Sequence, residues 1–242
     1  GAAIRAADDP RVRRLAARTA AQTLLYGFAR DADVAAARVE SAGFAGMRFT
    51  LRTGGASRPV AIPGLGRMAV HNALAAAAVG VAAGLSLEEI DAGLALGWTA
   101  PHRTELVAAG AISIVDDTYN ASPGSVTAAL EMLAGLPGRR VAVLGEMLEL
   151  GESAEAGHRA VGEVAARIAA LLVVVGAGAA GIAEGARSAG MEPRDVVVVP
   201  DPDVALETLR ARLGPGDVVL VKASRGVALE VLADALRREP VR

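Results

Sequence analysis

The chain contains no cysteine. Disulfides, thiolate catalysis and cysteine-based zinc sites are thereby excluded, and a reducing, cytoplasmic location is expected. It also contains a single lysine, Lys222, among many arginines. A P-loop needs Gly-Lys-Ser/Thr at the end of a glycine-rich turn. Lys222 is followed by Ala223, Ser224 and Arg225, with no glycine before it, so this sequence carries no such loop. Aromatic residues make up only 2% of the chain. The formal net charge of −2 gives no electrostatic footing for general nucleic-acid or membrane-surface binding. No run of apolar residues is long either. The longest, "IAALLVVVGAGAAGIA" from Ile168 to Ala183, falls short of the roughly 20 residues that a membrane span needs. It reads as a Val-rich strand, a glycine turn and the start of a helix, so no membrane insertion is expected. The first residues show no secretory-signal pattern.

What is present is a core-forming composition. The 242 residues are 52% hydrophobic and 21% charged, enough for one large domain or two ordinary ones. "DDPRVRRLAARTA" (Asp8 to Ala20) reads as an acidic cap and a helix. Short strands are expected in "TLLYGF" and between Val34 and Leu51, and another in "PVAIPGLGRM" before a Pro/Gly turn. An alanine-rich helix follows, then a second helix that Ser86 and Glu89 open as a capping box. "GWTAPHRTELV" reads as irregular and is the expected boundary, with domains at 1–105 and 106–242.

Beyond it the rhythm changes. Apolar runs "AISIVDD", "RVAVLGE", "LLVVVGAG", "DVVVVPD" and "DVVLVKAS" alternate with helical patterns starting near Ser125, Glu155, Ala179, Asp203 and Val227. Nearly continuous Val/Ile/Leu strands between helices predict a parallel sheet covered on both faces, hence an α/β, doubly wound, Rossmann-like domain. Ligands of such sheets bind beyond the carboxyl ends of the strands. Those ends carry Asp116-Asp117, Gly145-Glu146, Gly176, Asp201 and Lys222-Ser224-Arg225.

Three groups compete as sites there. "GAGAAG" (Gly176, Gly178, Gly181), with Asp201 further on, matches a dinucleotide fingerprint and keeps an NAD-binding reading open. Against it stand 28 glycines, which make such a match easy, and a strand that is third in its domain where the fingerprint belongs on the first. In "VDDTYNASPGS" (Val115 to Ser125), one acid at a strand end would be a helix cap or turn residue. A second acid beside it, with Tyr119 and Asn120, suits a nucleotide's sugar, base or phosphates. Lys222, Ser224 and Arg225 suit a carboxylate or phosphate, although Ser224 also reads as a plain helix cap. His71, His102 and His158 are scattered, and no metal triad is expected. Glu146 and Glu149 read as loop acids.

Together "DDTYNASPGS", "VAVLGEMLELGESAEAGH" and "DVVLVKASRG" resemble the C-terminal half of the Mur ligase family, while "ADDPRV" and "GRMAVHNALAAAA" are similar to the later part of its central ATPase domain. The resemblance covers essentially the whole chain. It implies an ATP-dependent ligase, with Mg2+, that phosphorylates the terminal carboxylate of a UDP-N-acetylmuramoyl tripeptide. The amine of D-alanyl-D-alanine then attacks the acyl phosphate. Carried onto this sequence, Asn72 contacts adenine, Arg103 the ATP phosphates, and Asp117 with Asp116 the ribose. Tyr119 and Asn120 shape the same pocket. Lys222, Ser224 and Arg225 hold the dipeptide or the substrate carboxylate. A hinge is implied near Trp98 to Arg103, and a monomer is expected. The family's phosphate loop, magnesium acids and modified lysine lie upstream of "ADDP", so the chain is expected to be a fragment without activity of its own. A folylpolyglutamate synthase-like member and a non-catalytic binding module are the other readings.

Overall fold

The computed structural model describes residues 1–98 and 100–238. Thr99 of the expected hinge and the last four residues of the expected second domain lie outside the described residues. The chain divides into two compact units, Gly1–Trp98 and Thr99–Arg242.

The first unit runs β1 (Ala2–Ala6), α1 (Pro10–Arg14), β2 (Gln22–Gly27), β3 (Val34–Ser41), β4 (Met47–Thr53), β5 (Ala56–Ile62), α2 (Gly66–Ala82) and α3 (Leu87–Leu96). Its strands form one sheet in the order β1-β2-β3-β4-β5. β1, β2 and β3 are parallel, and β3, β4 and β5 antiparallel. α2 buries Val70, Ala73, Leu74, Ala77 and Ala78. That spacing is one helical face. It packs on Leu51, Val60 and Ile62 of the sheet. Alanine at most of those positions lets the helix lie close to the strands. Asp9 caps α1 as the sequence suggests, accepting the Arg11 N–H at 2.7 Å. The capping box is also present: Ser86 Oγ accepts the Glu89 N–H at 3.2 Å, and Glu89 accepts the Ser86 N–H at 2.8 Å. Ser86→Ala is expected to cost the first unit about 1 kcal/mol, checked by urea unfolding.

The second unit runs β6 (Glu105–Ala109), β7 (Ile112–Asp116), α4 (Pro123–Ala134), β8 (Arg139–Gly145), α5 (Ala154–Ile168), β9 (Leu171–Val175), α6 (Ala180–Ser188), β10 (Val196–Val199), α7 (Pro202–Arg212), β11 (Asp217–Lys222) and α8 (Glu230–Arg238). The sheet order is β10-β9-β8-β11-β7-β6. β7 to β11 are mutually parallel, and β6 is an antiparallel edge paired to β7. The stretch read as irregular thus contains a strand. Its five residues pair with β7 through a two-residue turn, a connection too short for periodicity to announce.

Alternate strand residues face opposite helix layers. Ile114, Val143, Val173 and Val221 join Leu209 of α7 and Leu232 and Leu236 of α8 in one core. The other face meets α4, α5 and α6, which buries Leu130, Leu133, Val161 and Ile182. Each large side chain so buried is worth about 1.5–3 kcal/mol. α5 and α6 approach through reciprocal glycines. A Cβ on Gly162 would run into the Ile182 carbonyl, and one on Gly185 into the Arg159 carbonyl. Backbone cannot yield as a side-chain tip can. Gly185→Ala is therefore expected to destabilise the second unit by about 1–3 kcal/mol in urea unfolding, without changing its secondary structure by circular dichroism.

Candidate functional site

β8 and β11 are neighbours, yet the chain leaves β8 toward β9 and returns to β11 on the other side. The reversal opens a crevice at the carboxyl ends of these strands, where doubly wound sheets take ligands. A cleft of about 210 Å³ lies there, lined by Tyr119, Asn120, Leu148, Glu149, Ser224, Arg225 and Gly226.

The exposed part of the site is cationic and aromatic. Tyr119 is 39% exposed. The Arg103 guanidinium stands 3.8 Å from its ring centroid, and that of Arg225 stands 5.5 Å away. Both arginines are exposed. Among the described residues, neither has a carboxylate partner within ion-pair distance. Two unpaired guanidinium groups on one ring, beside the exposed Asn120, suit an anionic ligand with a flat or polar body. Asn120 Oδ1 accepts the N–H of Ala121 at 2.8 Å, which leaves its amide NH₂ free to donate.

Beneath lies a buried ionic frame, and it holds several of the expected site residues. Asp116 is 0% exposed. Its Oδ2 takes a hydrogen bond from His102 Nδ1 at 2.9 Å and from Arg237 Nη2 at 2.8 Å. Its Oδ1 accepts from the Thr118 N–H at 3.1 Å and hydroxyl at 2.7 Å. All four of these bonds are to protein groups, and none of Asp116 faces solvent. Lys222 is 3% exposed. Its ammonium reaches Asp117 Oδ2 at 2.6 Å and the Asn120 carbonyl at 2.8 Å. A third contact, to the Asp117 carbonyl, is 3.5 Å. Its donors are occupied, and it ties β11 to the turn after β7 instead of facing the cleft. Ser224 is also buried. Its Oγ accepts the Leu148 N–H at 2.9 Å and donates to the Ala121 carbonyl at 3.3 Å. It joins three loops and makes no side-chain cap to the helical turn it precedes. Asp117 accepts the Thr104 N–H at 3.0 Å and keeps an edge, with 14% of its side chain exposed. Of the nine expected site residues, Arg103, Tyr119, Asn120 and Arg225 present groups to solvent at this edge. Asp116, Lys222 and Ser224 hold the loops, Ser224 while also lining the cleft, and Asp117 does both. Asn72 lies exposed on α2 of the first unit.

Sequence reasoning missed His102, Thr104, Glu105 and Arg237 as frame residues. Arg237 also meets Glu105 at 3.2 Å. It lies 121 residues from Asp116, beyond any local pattern. His102 and Thr104 adopt φ of +62° and +51°. For a β-branched residue that is an outlier, costing of order 1–3 kcal/mol unless neighbours enforce it. His158 is a further missed support, 3% exposed. Its Nε2 accepts the Met147 N–H at 2.9 Å and its Nδ1 donates to the Ala154 carbonyl at 2.7 Å, which fixes the loop that carries Leu148 and Glu149. His71 is a packed histidine, 5.1 Å from the Tyr26 ring and 3.7 Å from Asp8.

The dinucleotide alternative gains no support from the geometry. A pyrophosphate must approach the backbone at the second glycine of its fingerprint. At Gly178 that space holds the Glu146 carboxylate. Asp201, which would bind the ribose, instead caps α7 by accepting the Val204 N–H at 2.9 Å. No group of three His, Asp or Glu among the described residues is placed to hold a metal ion. No described helix is long and apolar enough to cross a membrane.

A doubly wound sheet with a cleft at its carboxyl edge, lined by Tyr119, Asn120 and Arg225, defines the class as a Rossmann-like α/β domain. Comparison with known proteins makes this particular. The family model for the Mur ligase, glutamate ligase domain, matches residues 102–225. That range carries the cleft, and the chain belongs to the Mur ligase family. It is 40% identical over 258 aligned positions to the UDP-N-acetylmuramoyl-tripeptide–D-alanyl-D-alanine ligase of Mycobacterium tuberculosis, covering 98% of this chain and 51% of that protein. The crystal structure of MurF from Acinetobacter baumannii superposes with a TM-score of 0.86 at 29% identity, over 98% of this chain and 52% of the other. MurF from Thermotoga maritima in complex with ADP gives a TM-score of 0.85 at 26% identity, over 99% and 53%. The chain spans about half the length of the relatives it matches.

Proposed function

We propose that the chain supplies the later half of an ATP-dependent ligase that joins D-alanyl-D-alanine to a UDP-N-acetylmuramoyl tripeptide. The first unit would be the last part of the central ATPase domain and the second the C-terminal domain, which moves the expected boundary from 105/106 to 98/99. The observation that carries this is the cleft, where two unpaired guanidinium groups flank an exposed tyrosine within the residues matched to the family. The names of the relatives support the substrates, and the ADP-bound neighbour supports the nucleotide.

The chemistry assigned is acyl-phosphate formation on the tripeptide carboxylate, then attack by the dipeptide amine, releasing phosphate. The described residues contribute binding and orientation. Arg103 neutralises phosphate charge, Tyr119 and Asn120 meet the nucleotide's flat and polar parts, and Arg225 holds a carboxylate. Of the two acids, Asp117 alone keeps an edge for the ribose. Asn72 is assigned to the adenine. Magnesium has no ligand set among the described residues, and no step here runs through it. The reading carries with it a cytoplasmic location and a monomer.

Calorimetric titration with dipeptides tests the substrate class. D-alanyl-D-alanine is expected to bind in preference to L-alanyl-L-alanine and L-glutamate, and Arg225→Ala to weaken it by about tenfold or more. Preference for L-glutamate would instead favour a folylpolyglutamate synthase-like member. No binding of any of the three would remove the dipeptide from this half.

A further inference from the structure

The paired acids of "VDDTYN" stand in the middle of the site, yet their bonds point away from the cleft, toward one short segment. Asp116 takes the His102 ring at 2.9 Å. Asp117 takes the Thr104 N–H at 3.0 Å. These two residues flank Arg103. The same segment is fastened twice more: the His102 carbonyl accepts the Tyr119 N–H at 3.0 Å, and the His102 N–H donates to Glu105 at 3.4 Å. Both flanking residues have positive φ, and neither is glycine. A non-glycine residue holds such a conformation where surrounding contacts enforce it. The guanidinium between them comes to rest 3.8 Å from the Tyr119 ring centroid, and Tyr119 belongs to the same turn as the acids.

We propose that Asp116 and Asp117 are positioning residues, a two-point clamp that forces the 102–104 backbone into its left-handed turn and so sets the Arg103 guanidinium on Tyr119. Adjacent acids achieve this because successive residues at the end of an extended strand point to opposite sides. One acid therefore reaches the His102 side chain from the interior while the other reaches the Thr104 N–H from the edge. Each acid is anchored from behind by a cation, Asp116 by Arg237 at 2.8 Å and Asp117 by Lys222 at 2.6 Å. The anchors fix the direction of both carboxylates. The inference does not depend on the ligase reading, since it concerns where Arg103 stands and not what it binds.

The test is spectroscopic. A side chain stacked on an aromatic ring has its methylene protons shifted upfield by the ring current. In the 242-residue chain the Arg103 side-chain protons are expected upfield, and Tyr119→Leu should abolish the shift, which assigns it to this ring. His102→Ala removes one clamp point at a residue that is 32% exposed on its side chain, so the fold should persist. Asp117→Ala, made together with Lys222→Met so that no buried charge is left alone, removes the other. Each is expected to collapse the Arg103 shift while core methyl resonances stay dispersed. His102→Asn should restore it, because its amide donor replaces Nδ1 and asparagine tolerates positive φ. Arg225→Ala should leave it unchanged. An Arg103 shift that survives in folded His102→Ala overturns the role of Asp116. Survival in the folded Asp117→Ala/Lys222→Met chain overturns that of Asp117.

Discussion

Lys222→Met should destabilise the second unit by about 3–5 kcal/mol, although it replaces the chain's only lysine with an apolar side chain of similar length. Lys222 is 3% exposed, and its ammonium neutralises Asp117 at 2.6 Å. Methionine fills the volume but leaves Asp117 without its counter-charge in a mostly desolvated place. It also strips the donor from the Asn120 carbonyl, 2.8 Å away. A buried pair costs much to break and little to replace whole. The double variant Lys222→Met/Asp117→Ala should therefore recover most of the loss. Urea unfolding of the two singles and the double gives the coupling directly. Additive losses would mean that the pair is not coupled.

Asp116→Ala should cost a similar amount, about 3 kcal/mol or more, for a different reason. Four hydrogen bonds end on this carboxylate, two of them from Thr118 within the turn and two from distant groups. Removing it leaves the Thr118 hydroxyl buried, with its partner gone. Arg237 keeps Glu105 at 3.2 Å and Asp234 at 3.7 Å, so its charge is only partly stranded. Asp116→Asn should lose less, since one amide oxygen still accepts from His102 or Arg237. The check is again urea unfolding, with the asparagine variant falling between the unmodified chain and the alanine variant. Equal losses for alanine and asparagine would show that charge, and not the hydrogen bonds, carries the effect.

Much of the fold was legible because the relevant signals are local. Strands such as "LLVVV" are buried on both sides and contain almost nothing else, and the capping box at Ser86 is read within four residues. β6 escaped because a five-residue edge strand is too short to show a period and gains its identity from pairing with β7. At the site, the alternation of strands and helices placed Asp116, Asp117, Lys222 and Ser224 on the right edge. It could not tell which of them face inward. That depends on partners far along the chain: Arg237 for Asp116, Asp117 for Lys222, and Leu148 for Ser224. Sequence chemistry offered Asp116, Asp117, Lys222 and Ser224 to a ligand, with a cap as the other reading of Ser224. The structure divides them into a buried frame and an exposed set. The glycine fingerprint was already weak in the sequence, on the third strand of its domain, and the structure adds Glu146 lying over Gly178.

In the proposed function the carboxyl edge of the second unit, between Tyr119 and Arg225, receives the ligands of a Mur ligase. Its most direct test is a two-dimensional NMR titration of the isotopically labelled chain, first with ADP and then with D-alanyl-D-alanine. The account predicts that ADP moves the resonances of Arg103, Tyr119 and Asn120, and that the dipeptide moves those of Arg225 and Gly226, with the α7–α8 face unmoved. Resonances that stay still around the cleft at saturating ligand, or that move only on the α7–α8 face, would contradict it.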